Sequence, residues 1–430
     1  MRAGKQRRSH LSRRGRPVYP EGMSQRPELR LRPREEDRLL RGHPWIYDNE
    51  IADVSGSPGP GDEVGVKTSR GRFLGSAIWS PASKIRARRY SWKDEPFDAA
   101  FIEARLADAL VRRSRWKDPA ADSMRAVFAE ADGLPGLVVD RFVGEDGEGR
   151  RGSWLSAQFL SRGIEARREA VLSALAKALA PDGIMERSDS PVRALEGLEP
   201  RSGVVAGSVP ERLTILENGL RFGVSLGTGQ KTGWFLDQQE NRAATAAWAR
   251  GRRVLDVFCN AGGFALCAAA AGAESVLAVD ASADAVRAVG ENAGLNGLGD
   301  RVKAVEANAF DFLRDADACG ADGSYGLVVL DPPAFAKNKA SLDGAVRGYK
   351  EINLRAMKLL AGGGVLATYS CSFWLSRDRF LAALEDAATD AGVTLRYLEE
   401  RGQAHDHPVV SGYAESRYLK GFIVAVERRR

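Results

Sequence analysis

Near the C-terminal end, two apolar runs stop at residues able to do covalent and acid–base chemistry. One ends Tyr369-Ser-Cys-Ser372, and the other reads Val328-Val-Leu-Asp-Pro-Pro-Ala-Phe-Ala-Lys337. As a thiolate, Cys371 is a nucleophile able to form a covalent intermediate. Asp331 is a hydrogen-bond acceptor and a general base. The two prolines after it remove two backbone donors and stiffen the loop, which fixes the direction of the carboxylate. Cys259, Cys267 and Cys319 are scattered without a C-x-x-C pair, and His43, His405 and His407 add no zinc spacing. Neither a disulfide framework nor a metal site is expected. Those three thiols read as small hydrophobes; Cys371 differs by standing at the end of a strand.

A third run, Val254-Leu-Asp-Val-Phe-Cys-Asn-Ala-Gly-Gly-Phe264, ends in a glycine-containing turn that opens a helix, and the next apolar run ends at Asp280. Glycines in such a turn let a ligand approach the backbone, and an acidic residue at the second strand end can accept hydrogen bonds from ribose hydroxyls. The G-x-G-x-x-G phosphate fingerprint is absent, so a nucleoside ligand fits better than a pyrophosphate one. Asn308, after the third strand, can face the same ligand or cap the helix that opens at Ala309.

These strand ends converge only if the sheet is parallel and doubly wound, because ligands in such sheets bind outside the carboxyl ends of the strands. From about Leu220 the chain alternates accordingly. Strands are expected at Arg253–Phe258, Ser275–Asp280, Val302–Glu306, Leu327–Leu330 and Val365–Tyr369, with a last one at Tyr418–Val426; helices are expected near Gly263–Ala271, Ala283–Asn296, Phe310–Ala316, Ala345–Leu360 and Arg377–Ala391. Residues 220–430 are thus a Rossmann-like α/β domain. Upstream, residues 31–95 mix short β-rich runs with Gly and Pro, which predicts a small β-barrel domain; residues 96–219 predict an α+β central domain. In the barrel, Lys84, Arg86 and Arg88 alternate, so one strand face would present three cations to RNA phosphates.

At 430 residues with 44% apolar residues the chain is long enough for several domains. No run approaches the roughly 20 apolar residues that cross a bilayer, and no apolar secretion signal opens the chain, so a cytoplasmic, membrane-free protein is expected. The formal charge of +6 is concentrated at the start, where residues 1–30 form a basic tail expected to be disordered. Met23 offers an alternative start.

The ordered set of motifs resembles one family. Arg41-Gly-His-Pro-Trp45, Glu130-Ala-Asp-Gly-Leu-Pro-Gly136, Lys231-Thr-Gly-Trp-Phe-Leu-Asp-Gln238, Asn260-Ala-Gly-Gly-Phe264, Asp331-Pro-Pro-Ala-Phe335, Arg347-Gly-Tyr-Lys350 and Tyr369-Ser-Cys-Ser372 together look like the ribosomal RNA large-subunit methyltransferase I family. The resemblance implies an N-terminal PUA domain, a class I methyltransferase domain, S-adenosylmethionine as donor, and formation of 5-methylcytosine in 23S ribosomal RNA or its precursor. A homodimer is compatible with it.

Under that resemblance, Cys371 would add to the 6-carbon of cytosine and so activate the neighbouring 5-carbon. Asp331 would serve the ring edge, the removal of the 5-proton, or both. Phe258, Asn260, Gly262 and Gly263 would frame the methionine part of the donor, with Asp280 and Ala281 at the ribose. Asn308 and Ala309 would lie at the adenine, and Phe235 and Pro332 would pack on the donor. Lys231, Lys337, Arg347 and Lys350 are candidate RNA contacts, and the last three are candidates for lowering the thiol pKa. Two rivals remain: a methyltransferase acting on a guanine nitrogen, which needs no thiol, and a non-catalytic RNA-binding or ribosome assembly factor.

Overall fold

The computed structural model describes residues 26–118, 120–227, 233–319, 323–336 and 338–429. The expectations for residues 1–25, Lys231 and Lys337 lie outside them. Three sheets follow one another along the chain.

The first has six strands, from Glu28–Leu31 to Ile85–Ser91, wrapped around Leu29, Leu31, Ile46, Val64, Val66 and Ala87. Its first strand begins inside the expected tail, because Glu28–Arg30 pair in parallel with Gly65–Lys67. The three-cation face does not form. Ile85–Ser91 is an interior strand, paired with Trp45–Tyr47 on one side and Phe73–Trp79 on the other, and its flank abuts the next domain. Arg88 is buried and donates to Glu196 at 2.6 Å, and Arg86 is engaged by Asp48 and the carbonyl of Pro81. Only Lys84 is exposed. Period-two alternation identified one face of a strand, and a neighbouring domain rather than solvent covers it.

The second sheet has seven strands, from Met124–Phe128 to Leu220–Val224, covered by the helices Ala99–Arg113 and Arg168–Leu179. The Asp98 carboxylate starts the first helix by accepting from the Phe101 N–H at 2.9 Å. Its closing hairpin, Leu213–Glu217 with Leu220–Val224, crosses the expected boundary at 219/220. Leu213, Ile215, Phe222 and Val224 pack in one apolar cluster with Phe264 and Leu266 of the third domain, so the hairpin joins the two.

The third sheet runs Val302–Glu306, Ser275–Asp280, Arg253–Val257, Tyr325–Leu330, Leu360–Ser370, Lys420–Arg428, Val393–Arg401. The first five are parallel and the last two pair antiparallel. Helices cover both faces, and the expected five are present, from Gly263–Ala270 to Arg377–Asp390. The strand Val393–Arg401 was not anticipated: it is an edge strand whose charged side chains hide the alternation. Among the described residues no helix is long and apolar enough to cross a membrane, and no group of three or more His, Cys, Asp or Glu is placed to hold a metal ion.

Candidate active site

The turn after Arg253–Val257 carries three residues with positive φ: Phe258 at 65°, Asn260 at 48° and Gly262 at 84°. For a non-glycine residue this backbone costs about 1–3 kcal/mol, so its neighbours must hold it. Asp280 does so: its carboxylate accepts from the Asn260 N–H at 2.9 Å and from the Ser282 N–H at 3.0 Å. Each oxygen keeps a second lone pair for a ligand hydroxyl.

Gly263 has a different function. A Cβ there would meet Arg242 Nε at 2.4 Å. Arg242 instead passes beneath the turn, pairs with Glu217 at 2.6 Å and donates to the carbonyl of Phe235 at 3.0 Å, fixing the segment that folds over the cleft. Gly262 makes the turn and does not line the cleft; a Cβ there would strike Leu266.

The cleft is a cavity of about 350 Å³ outside the carboxyl ends of the parallel strands. Phe235, Phe258, Asn260, Gly263, Asp280, Ala281, Asn308, Ala309, Asp331, Pro332 and Cys371 all line it. The Asn308 side chain caps the helix, accepting from Phe310 N–H at 3.0 Å and Asp311 N–H at 3.3 Å, while the residue also lines the cleft. Phe310 and Phe335 were missed; their rings, 5.7 Å apart, complete an apolar wall with Phe258. Aromatic residues beyond a strand end give no sequence signal that separates a cavity wall from core.

Beneath the turn, Asp256 is fully buried. One oxygen accepts the Ala265 N–H at 2.9 Å, and the other has no protein partner among the described residues. Burial, reinforced by nearby Asp331 and Asp280, pushes its carboxyl up to about 8, while the Ala265 N–H opposes the shift. The apolar aromatic wall and the Asp280 carboxylate that line the cleft fit a ligand that carries a ribose and a base.

Cys371 and Asp331 both line this cavity. Cys371, half-buried, places Sγ 4.0 Å from the carbonyl oxygen of Pro332, and Asp331 accepts from Gln238 Nε2 at 2.8 Å. Gln238 is itself held by Asn241 Nδ2 at 2.6 Å, and Asn241 by Arg401 Nε at 3.0 Å. Neither Gln238 nor Asn241 could be assigned this task from sequence.

Two of the cations expected near the thiol, Lys350 and Arg347, are elsewhere. Lys350 pairs with Asp390 at 2.7 Å, and Arg347 is exposed and outside the cleft lining. The helix Leu342–Leu359 turns Tyr349 inward instead, where its hydroxyl bonds Ser370 at 2.9 Å and Ser372 at 3.0 Å and so brackets Cys371. The other buried thiols are unsuited to nucleophilic work, since burial pushes Cys259 up strongly and Cys267 up to about 12.

The comparisons with known proteins agree with this site. Residues 198–420 match a family model described as S-adenosylmethionine-dependent methyltransferase, and residues 29–92 match one described as a PUA-like domain. Ribosomal RNA large subunit methyltransferase I of Erwinia tasmaniensis is 43% identical over 398 residues, 91% of this chain and 97% of the relative. The protein of that name from Cronobacter sakazakii is 41% identical over 396 residues, 90% and 96% of the two chains. The fold is shared with the crystal structure of the methyltransferase SMU.776 complexed with SAH, with a TM-score of 0.79 at 20% identity over 93% of this chain and 99% of that one. The chain therefore belongs to the ribosomal RNA large subunit methyltransferase I family, as an S-adenosylmethionine-dependent methyltransferase with an N-terminal PUA-like domain.

Proposed function

We propose that this enzyme forms 5-methylcytosine in 23S ribosomal RNA through a covalent adduct at Cys371. The observation that carries the reading is the convergence of Cys371 and Asp331 on the donor cavity, joined through the Pro332 carbonyl. A thiol at a strand end opposite a carboxylate has no task in methylating a ring nitrogen.

When bound, S-adenosylmethionine supplies an electrophilic methyl group. The residues that would hold it are Asp280 and Ala281 at the ribose, Asn308 and Ala309 at the base, and Phe235, Phe258, Asn260, Gly263 and Pro332 around the remainder. Cys371 adds to the 6-carbon, which raises electron density on the 5-carbon. Asp331, aimed by Gln238, holds the ring edge and accepts the 5-proton, after which the carbon–sulfur bond breaks and the electron pair returns to sulfur. The cleft is closed to bulk water on one side by Phe235, whose carbonyl Arg242 anchors.

The PUA-like domain is the reason to place the substrate in RNA rather than among free nucleosides, and the relatives' name supplies the ribosomal target. Nucleoside mass spectrometry of 23S RNA incubated with the enzyme tests the assignment. 5-Methylcytidine is expected; an N-methylguanosine, with turnover preserved in Cys371→Ser, would replace this reading by the nitrogen-directed one.

A further inference from the structure

The last antiparallel strand brings a lysine to the nucleophile from a distant part of the chain. Lys420 stands directly opposite Ser370 in the ladder between Leu360–Ser370 and Lys420–Arg428. Opposed residues share a face, so its stem runs along the strand end that carries Cys371. Its Nζ donates to the carbonyl of Ser372 at 2.7 Å, one residue past the thiol.

Lys420 as a residue is 7% exposed, and a buried ammonium normally has a carboxylate partner. Among the described residues no carboxylate lies within ion-pair distance of Lys420. Those on the surrounding elements are engaged: Glu400 by Arg377 and Glu399 by Arg401. Asp237 accepts from Tyr418, and Asp331 from Gln238. The group with which Lys420 interacts electrostatically is Cys371.

We propose that Lys420, whose ammonium the Ser372 carbonyl holds at this strand end, is a cation that favours ionisation of the Cys371 thiol. The proposal rests on the reading of Cys371 as the nucleophile. When the thiol ionises, the S–H bond breaks, its electron pair stays on sulfur and the proton leaves to solvent. When sulfur attacks carbon, the negative charge leaves the sulfur.

The energetics suit this role. Burial pushes the Lys420 amine down to about 8, with Cys371 opposing the shift. At neutral pH an amine with that value is still mostly protonated, so Lys420 presents a positive charge to the thiol. Tyr349, facing the same site from its helix, is pushed up to about 12 by burial and cannot accept that proton at working pH.

The test is the pH dependence of Cys371 alkylation by iodoacetamide in the full-length protein, with Cys319, the exposed thiol, replaced by Ser. Lys420→Gln keeps a donor for the Ser372 carbonyl without the charge, and Lys420→Arg keeps the charge. The parent is expected to show an alkylation midpoint below 8.5. Lys420→Gln should raise the midpoint by about one unit, a roughly tenfold slower reaction at pH 7, and Lys420→Arg should bring it back down. Binding of S-adenosylmethionine by calorimetry verifies that each variant is folded; should Lys420→Gln fail it, Lys420→Met gives the same readout. An unchanged midpoint in the folded neutral variant overturns the proposal. Normal methylation by Cys371→Ser would instead overturn the nucleophile reading, a result that the alkylation profile neither causes nor hides.

Discussion

Arg88 of the first domain donates to Glu196 of the second at 2.6 Å, with both side chains buried. Ser80 Oγ and the Arg162 N–H also donate to Glu196, at 2.7 and 3.2 Å, so an ion pair surrounded by hydrogen bonds sits where the two domains meet. Nearby, Trp45 Nε1 donates to Glu130 at 2.8 Å, and His43 Nε2 bonds Glu415 at 3.1 Å. Two stretches singled out in the sequence, Arg41–Trp45 and Glu130–Gly136, are therefore parts of a junction between domains.

Arg88→Ala is expected to destabilise the protein by about 3–5 kcal/mol, because it strands the buried charge of Glu196. Chemical denaturation measures this. Loss of RNA affinity without loss of stability would instead restore Arg88 as a phosphate contact.

Gln238→Leu should leave donor binding intact and lower kcat about tenfold to a hundredfold, the cost of one hydrogen bond to a charged group. The relevant bond is the 2.8 Å contact that aims Asp331. Steady-state kinetics with RNA, together with calorimetry of S-adenosylmethionine binding, separates the two effects.

Asp256 has a pH signature. Its carboxyl is raised from 3.8 to about 8 in the folded protein, chiefly by burial, so between those values the folded state binds more protons than the unfolded one. Stability contributed by this group is then greatest at low pH and falls as pH rises toward 8, flattening above it. In Asp256→Asn the fall over that window should be smaller than in the parent, measured as Tm against pH; parallel curves would contradict the assignment.

Phe373 and Trp374, two and three residues past the thiol, are about half exposed and lie edge to face with centroids 5.4 Å apart. Exposed aromatics at the rim of a nucleobase cleft are suited to stacking, worth about 1–3 kcal/mol per base. Trp374→Ala should raise KM for RNA about tenfold with kcat little changed, as read from initial rates.

The parts of the site that were legible in sequence are those set by local chemistry. An apolar run followed by Asp331-Pro-Pro333, by Asn260-Ala-Gly-Gly263 or by Cys371 announces a strand end, and strand ends of a parallel sheet share one rim. What depends on tertiary placement was not legible. Lys420 reaches Cys371 only because its strand inserts antiparallel between Leu360–Ser370 and Val393–Arg401. Lys350 and Arg347 were attractive by proximity in sequence, yet helical periodicity turns Tyr349 inward and those two outward. Arg86 and Arg88 were read as facing water because alternation along a strand reveals two faces without saying what covers either.

The covalent step is tested most directly by mass spectrometry of the enzyme incubated with S-adenosylmethionine and a 23S transcript whose cytosines carry fluorine at the 5-position. Fluorine replaces the proton that must leave, so the adduct cannot resolve. The account predicts a stable protein–RNA species linked through Cys371 and absent from Cys371→Ser. Methyl transfer to the unsubstituted transcript with no such species formed on the fluorinated one would contradict it.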